Sequence, residues 1–129
     1  MKILKLKASR IKNRINVLFE DGSYLPLFID DVIKNNLKTG DNIDFDNLKK
    51  LSNDYLVREY ALRQIAISPK TEKILYQKIK RKFPDYNPDS IITALSPYLD
   101  NQKYIDYILK KFKRKSNREI SYRLKLAGI

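Results

Sequence analysis

The sequence predicts a mainly α-helical protein in which tandem three-helix repeats, the second of them incomplete, follow a small antiparallel β meander. Segment 70–79 recurs as segment 115–124, an offset of 45 residues from Lys70 to Lys115. In each copy a basic and a hydroxyl residue precede two aliphatic residues spaced four apart, which is typical of a capped amphipathic helix. Alternating apolar and polar residues before position 28 predict strands instead. A repeat of this length indicates a helical array, and such arrays bind along extended partners.

The first 28 or so residues predict the strands of the meander. Apolar residues alternate with lysines over 4–8, and a similar alternation recurs over 15–19. Asp21-Gly22 is a strong signal for a two-residue hairpin turn, and Lys12-Asn13 is a plausible earlier turn. Because so small a meander is not stable alone, we expect it to pack against the helices that follow.

Two helices are predicted between the meander and Pro69. A short one covers 30–37, and Asp46 is predicted as the N-cap of a longer one. Pro69 ends the longer helix because it disfavours helical backbone at the preceding residue. The apolar positions that match helical spacing in this helix are Leu48, Leu51, Tyr55, Leu62 and Ile65.

Four further helices are predicted from their caps. Polar side chains that favour the N-cap position precede each apolar run, and a glycine closes the last one. These residues are Thr71, Asn87, Asp100 and Ser116, with Gly128 at the end. The predicted division is 1–45 for a β-rich part with a short helix, 46–99 for the first three-helix repeat and 100–129 for a partial second repeat.

The charge of this 129-residue chain is strongly positive and unevenly distributed. It has 27 basic and 15 acidic residues, for a net charge of +12. The excess lies in 1–19, 70–82 and 103–129, whereas 20–59 is acidic. Such segregation favours an anionic partner. A coding bias toward lysine is the alternative explanation, but it does not account for the acidic middle.

The chemistry of common active sites is sparse in this chain. It has no His and no Cys, and Gly22, Gly40 and Gly128 do not form a phosphate-cradling loop. The nearby carboxylates of Asp41, Asp44 and Asp46 could hold a hard cation, although a solvated turn and a helix cap is the favoured interpretation. We therefore predict no enzyme activity and no catalytic, cofactor or metal site. With neither a signal peptide nor an apolar run of about 20 residues, a cytoplasmic monomer without membrane contact is expected.

Tyr98-Leu99-Asp100-Asn101 lies in the segment 97–129, where a likeness to a known family is clearest. This stretch is similar to the Gly-Tyr-Leu-Asp-Asp signature of the RecX family of bacterial recombinase regulators, and the likeness extends along nearly the whole chain. Segment 115–129 resembles the following Lys-Gly-x-x-x-Ile…Leu-x-x-x-Gly-Ile pattern, and Tyr60-Ala61-Leu62 before 70–73 resembles the first repeat. Pro97 and Ile74 stand where Gly and Glu are common. The resemblance implies tandem three-helix repeats that bind RecA, lodge in the groove of the RecA–DNA filament, and restrain its ATPase, strand exchange and co-protease activities.

The leading functional hypothesis is a non-enzymatic modulator, an inhibitor, of RecA that binds the RecA–DNA filament through basic helical surfaces. The alternatives are a free-standing module that binds single- or double-stranded nucleic acid without sequence preference, and an adaptor whose charge only maintains solubility. Tyr104, Tyr107 and Tyr122 lie among the cations, where core packing is favoured over stacking on a base. The predicted binding residues are Lys70, Lys73, Lys78, Arg81, Lys82, Lys110, Lys111, Lys113, Arg114, Lys115, Arg118, Arg123 and Lys125.

Overall fold

The computed structural model describes all residues, 1–129, and confirms a mainly helical fold behind a three-stranded antiparallel sheet. The chain divides into two compact units, Met1–Val57 and Arg58–Ile129, and the predicted three-part division stays a prediction. The elements are β1 (Ile3–Ala8), β2 (Arg14–Phe19), β3 (Tyr24–Phe28), α1 (Ile29–Lys34), α2 (Phe45–Ile67), α3 (Glu72–Lys82), α4 (Asp89–Leu95), a 3₁₀ turn (Ser96–Tyr98), α5 (Asn101–Lys111) and α6 (Asn117–Leu126).

The sheet has the order β1-β2-β3 and packs its buried face on the helices of the first unit, as its small size requires. Ile3 pairs with Phe19, and Ile15 pairs with Leu27 across the other side of β2. Phe19 meets Phe45 of α2 edge to face, with ring centroids 5.1 Å apart. The core of this unit consists of Ile3, Val17, Phe19, Leu27, Val32 and Leu48.

The hairpin between β2 and β3 lies where the sequence predicts it, but its loop has three residues instead of two. The Gly22 N–H donates to the Phe19 carbonyl at 3.0 Å, and the Phe19 N–H donates to the Ser23 carbonyl at 2.9 Å. Gly22 has φ +87°, so the loop is a turn followed by a left-handed residue that permits the extra position. The earlier turn is also present, with Asn13 at φ +64°.

Helix α2 differs from its prediction at its cap and on its buried face. Asp44, rather than Asp46, acts as the N-cap: its Oδ1 accepts the Asp46 N–H at 3.1 Å, and the helix begins at Phe45. Because aspartate is a favoured N-cap residue at either position, the local sequence does not distinguish Asp44 from Asp46 as the cap. Leu62 is exposed, whereas Val57 and Ala61 are buried, so the small Ala61 occupies the interior position.

The helices of the second unit begin at the side chains that the sequence predicts. The Asn87 Oδ1 accepts the Asp89 N–H at 3.0 Å, with Pro88 in helical conformation as the first residue of that turn. Asp100 accepts the Gln102 N–H at 2.8 Å at the start of α5. These caps hold the loop ends of α4 and α5 in defined positions.

The two copies of the repeated phrase form equivalent helices. Thr71 and Ser116 each accept the backbone N–H three residues later, at 3.2 Å in both copies. Leu75 and Ile79 of α3 are fully buried, and Ile120 of α6 is buried as expected. The fourth predicted core position, residue 124, is half-buried. The repeat therefore holds in backbone conformation and at three of four interior positions.

The end of α6 packs against the start of α3. The N–H groups of Gly128 and Ile129 donate to the carbonyls of Lys125 and Leu124, both at 3.0 Å, which closes the helix in a Schellman motif around Gly128 at φ +88°. A Cβ on Gly128 would lie 3.1 Å from Cδ of Lys73, so only glycine fits here without displacing that chain. The motif fixes α6 relative to the basic helix α3.

Candidate interface for an anionic partner

The predicted basic residues lie on α3, at the end of α5, in the turn that follows, and on α6. Most are exposed; the exceptions are Lys70, which is buried, and Lys78 and Arg123, which are half-buried. Among all of them only Arg123 forms an ion pair. Cations without carboxylate neighbours leave a positive potential over this part of the second unit, which attracts anions.

The turn between α5 and α6 is the most accessible part of the basic surface. Lys113, Arg114 and Lys115 are exposed, and none of their side chains forms a hydrogen bond or an ion pair within the chain. The Lys115 N–H donates to the Phe112 carbonyl at 2.8 Å, which holds the backbone of the turn. An ordered backbone with three unengaged cationic side chains suits contact with phosphates or carboxylates of a partner.

Arg123 serves the packing of the second unit. Its guanidinium lies 4.1 Å from the ring centroid of Phe112 and 3.5 Å from the Glu119 carboxylate. Its Nε is buried without a hydrogen-bond partner. Stacking on the aromatic face and pairing with the neighbouring turn of α6 commit this cation to the structure of its own helix.

Lys82 has a similar aromatic contact on α3. Its Nζ lies 5.3 Å from the ring centroid of Tyr60, and Tyr60 in turn meets Phe83 edge to face at 5.8 Å. The side chain is nonetheless exposed, so its charge faces solvent. The alkyl stem packs while the ammonium stays accessible, which is how lysines cover apolar surface.

Lys70 does not lie on the exposed basic surface where the sequence predicts it. Its side chain is 6% exposed, and its Nζ donates hydrogen bonds to the carbonyl and the hydroxyl of Ser68. Burial, followed by the charge of Lys78, lowers the pKa of Lys70, and Tyr107 acts in the opposite direction. Lys115, at the matched position of the second copy, is exposed. The repeated sequence therefore does not indicate that Lys70 is buried.

Tyr107 and Lys111 form a contact that the sequence reasoning missed. The Lys111 Nζ donates to the Tyr107 hydroxyl at 3.1 Å and lies 5.4 Å from the centroid of its ring. This hydrogen bond is the first cause that lowers the pKa of Tyr107. Their i,i+4 spacing on one helix is the signal that predicts such a pair.

The other two tyrosines among the cations have opposite surroundings. Tyr104 is buried in the core of α5 and α6, as the packing interpretation predicts, and burial raises its pKa. Tyr122 is 62% exposed on α6, between Arg118 and Lys125 in helical spacing. Of the three tyrosines among the cations, Tyr122 is therefore the one most accessible to a partner.

Comparisons with known proteins find similar sequences over nearly the whole chain. No family model matches the chain. It is 30% identical, over 99% of its length, to the regulatory proteins RecX of Clostridium botulinum and of Clostridium tetani. A crystal structure of regulatory protein RecX matches the fold with a TM-score of 0.66 and 21% identity, over 99% of this chain and 68% of that one. The resemblance to the RecX family is confirmed. The chain spans 64% and 63% of the length of the two curated relatives.

The RecX-like signature residues have identifiable roles in the fold. Leu99 is buried, and the neighbouring Asp100 caps α5. Ala61 is fully buried in α2, where a larger side chain would not fit the same space. Ile74, at a position where a Glu is common in the resemblance, packs against the core of α5 and α6. The departure from Glu therefore adds apolar contact at the junction of α3 and α6.

The acidic residues weighed as a cation site do not converge. Asp41 accepts the Lys38 N–H at 3.0 Å in a turn, and Asp44 caps α2. No group of three potential metal-ligating side chains comes together in the structure. The helices also include none with the length and apolar character needed to cross a membrane.

Proposed function

We propose that this chain is a non-enzymatic modulator of a RecA-type recombinase, and that it inhibits the recombinase by binding the RecA–DNA filament. The relationship to regulatory proteins RecX over 99% of the chain is the observation that carries the proposal. That relationship supports a regulatory role. The proposal goes beyond that role in three respects: it names RecA as the partner, inhibition as the effect and the cytoplasm as the location.

The contact surface in this proposal consists of the exposed basic residues of α3, the α5–α6 turn and α6. A filament groove offers both nucleic-acid phosphates and acidic protein side chains, and unpaired cations suit either. Lys70 and Arg123 are left out of this surface because both are engaged inside the chain. The proposal requires no catalytic group, because occupancy of the groove is sufficient to hinder strand exchange.

A free-standing nucleic-acid-binding module is the second candidate. The observation that favours it is Tyr122, an exposed ring flanked by Arg118 and Lys125 on α6. Aromatic rings among cations bind single strands by stacking on bases while the charges contact the backbone. In this candidate the RecA partner is absent and nucleic acid alone is bound.

A pull-down with purified RecA separates the two candidates. The chain is immobilised and incubated with RecA alone, with RecA and single-stranded DNA, and with RecA, DNA and a slowly hydrolysed nucleotide. The proposal predicts the strongest retention of RecA when the filament is assembled. Retention of DNA without any retention of RecA favours the second candidate.

A further inference from the structure

The three-stranded sheet has a second face, which points away from the core of the first unit. Successive residues of a strand alternate between the two faces, and direct cross-strand partners share a face. Val17 and Phe19 of β2 lie in the core, so Asn16 and Leu18 belong to the opposite side. We call this side the outer face of the sheet.

The strand register sets the open part of the outer face as two rows of three residues. Lys5 pairs with Leu18, which pairs with Tyr24, and Lys7 pairs with Asn16, which pairs with Pro26. Each row therefore has a lysine on β1 at one end and a residue of β3 at the other.

A third row of the outer face is covered by α2. Arg14 pairs with Phe28, and the Phe28 ring stacks on Tyr55 with centroids 5.8 Å apart. The Arg14 Nε donates to the Tyr55 hydroxyl at 3.2 Å. Packing against α2 thus ends at this row, and the two rows beyond it face solvent.

The open rows present positive charge and one aromatic ring. Lys5 and Lys7 are exposed, and their side chains form no ion pair or hydrogen bond within the chain. Tyr24 is 62% exposed. The three strands contain no acidic residue, and segment 1–19 has six basic residues and no acidic one. The charge of this face therefore complements an anion.

Protection of a sheet edge explains only part of this arrangement. Lysines on an edge strand discourage pairing with the strands of another molecule, and β1 is an edge strand. That role does not account for Tyr24, which exposes a large ring on the opposite edge strand, β3. Cations beside an exposed ring are the combination that binds unpaired bases and their phosphates.

We propose that the outer face of the sheet binds single-stranded DNA, with a base stacked on Tyr24 and phosphates at Lys5 and Lys7. The two lysines lie about 6.8 Å apart along β1, twice the rise per residue, which is close to the spacing of successive phosphates in an extended strand. A duplex does not fit, because its bases are already stacked on one another. Sheets with exposed aromatic rings bind single strands in this way.

This site lies in the first unit and is separate from the basic helical surface of the second unit. The preference for a single strand rests on the outer face itself. The choice of DNA over RNA rests on the proposed function. Binding to the sheet requires no RecA, so it is tested with nucleic acid alone.

Lysine acetylation followed by mass spectrometry locates the bound strand on the full chain. Oligothymidylate is added in increasing amounts, and each lysine is followed separately, so that binding elsewhere does not mask the result. Lys5 and Lys7 are expected to become protected, whereas Lys49 and Lys50, exposed on α2, should keep their reactivity. Unchanged reactivity of Lys5 and Lys7 at saturating oligothymidylate overturns the site and leaves these lysines as edge protection only.

The contribution of the ring is measured by the oligothymidylate concentration that half-protects Lys7. Tyr24→Leu is expected to raise this concentration at least about fivefold, the lower end of the effect of stacking one base. Tyr24→Phe keeps the ring and should match the parent. Tyr98→Leu is the matched control, because Tyr98 is 61% exposed outside the sheet. Equal values for Tyr24→Leu and Tyr98→Leu overturn the stacking, and the footprint of the parent stands whether or not a variant folds.

Two other probes test the nature of the occupant. Oligothymidylate is expected to protect Lys5 and Lys7 at lower concentrations than oligouridylate or a polyglutamate of the same charge. Stronger protection by polyglutamate assigns the face to an acidic protein segment and overturns the proposal. Protection by oligouridylate at equal or lower concentrations overturns the choice of DNA. A parent that fails to retain RecA defeats the proposed function and leaves the acetylation pattern readable.

Discussion

The starts of α3 and α6 have the same backbone conformation but different surroundings. Thr71 and Ser116 accept equivalent N–H groups at 3.2 Å. The buried Thr71 also donates to the Ala127 carbonyl at 2.6 Å, whereas Ser116 is exposed and caps only its own helix. In the same way Lys70 is buried and Lys115 is exposed. The repeated sequence therefore encodes helix initiation, and tertiary packing decides which copy becomes interior.

The packing that buries the first copy comes from the end of α6. Ala127 accepts the Thr71 hydroxyl, Gly128 lies against the side chain of Lys73, and Ile74 packs into the core of α5 and α6. The start of the first copy is consequently a joint between α3 and α6, whereas the start of the second copy is exposed. Substitutions in the first copy should therefore destabilise the protein more than substitutions at the matched positions of the second copy.

The largest difference is expected at the interior leucines. Leu75→Ala should lower the free energy of unfolding by roughly 2–5 kcal/mol, because Leu75 is fully buried and leaves a cavity. Leu124→Ala should cost about half as much, since Leu124 is half-buried and loses less apolar area. Urea unfolding of both variants measures the difference. Equal losses would show that the two copies are packed alike.

The cap residues should show the next largest difference. Thr71→Ala should cost about 2–4 kcal/mol, because it removes the cap and leaves the buried Ala127 carbonyl without this donor. Ser116→Ala should cost about 1 kcal/mol, the usual value of a cap alone. Thr71→Ser keeps the hydroxyl and serves as the control, with near-parental stability by urea unfolding. A Thr71→Ala loss no larger than that of Ser116→Ala contradicts the joint.

Glycines with matched backbone strain measure the contact between α6 and α3. Gly128 and Gly40 have φ +88° and +92°, but only Gly128 has a neighbour, Lys73, where a Cβ would lie. Gly40→Ala should cost about 1–2 kcal/mol from left-handed backbone strain. Gly128→Ala should cost more by the displacement of Lys73, and thermal unfolding compares the two. An identical loss would mean that Lys73 moves aside without cost.

The smallest expected effect is a pH dependence of stability that comes from Lys70. Because the folded pKa of Lys70 is below its ordinary value of 10.5, the unfolded chain binds more protons in the window below that value. Stability should therefore rise with pH through this window. Lys70→Met should flatten the rise. Tyr107, whose pKa is also lowered, contributes with the same sign in the parent and in the variant. A parental rise in Lys70→Met would assign the effect elsewhere.

Local signals in the sequence were sufficient for most of the fold. Caps at Thr71, Asn87, Asp100 and Ser116 are set by side chains within three residues of the helix start, so they were predictable. The choice between Asp44 and Asp46 was not, because both satisfy the same local rule. Element boundaries of this kind depend on tertiary context.

The candidate site was less predictable than the fold. Exposure of the α5–α6 turn follows from its run of cations, which are seldom buried without partners. Lys70 is the exception, and of the groups that shift its pKa, Tyr107 and Lys111 lie on another helix, α5. A contact between residues distant in sequence leaves no periodic trace in either segment. The prediction that Leu62 lies on the buried face of α2 was wrong for a related reason. Which face of α2 is buried depends on the elements that pack against it.

Charge reversal in the α5–α6 turn tests most directly whether the exposed copy of the repeat is the functional surface. Lys113, Arg114 and Lys115 are changed together to Glu, and the control changes the exposed Lys12, Lys49 and Lys50 to Glu, for the same change in net charge. Both proteins should keep near-parental Tm values, because exposed charges contribute little to folding.

The deciding measurement is the ATPase rate of RecA on single-stranded DNA with increasing amounts of the parent, the turn variant and the control variant. The parent and the control are expected to inhibit the ATPase, and the turn variant is not, because like charges across an interface disfavour association. Inhibition by the turn variant at the parent's concentrations would contradict the assignment of this surface.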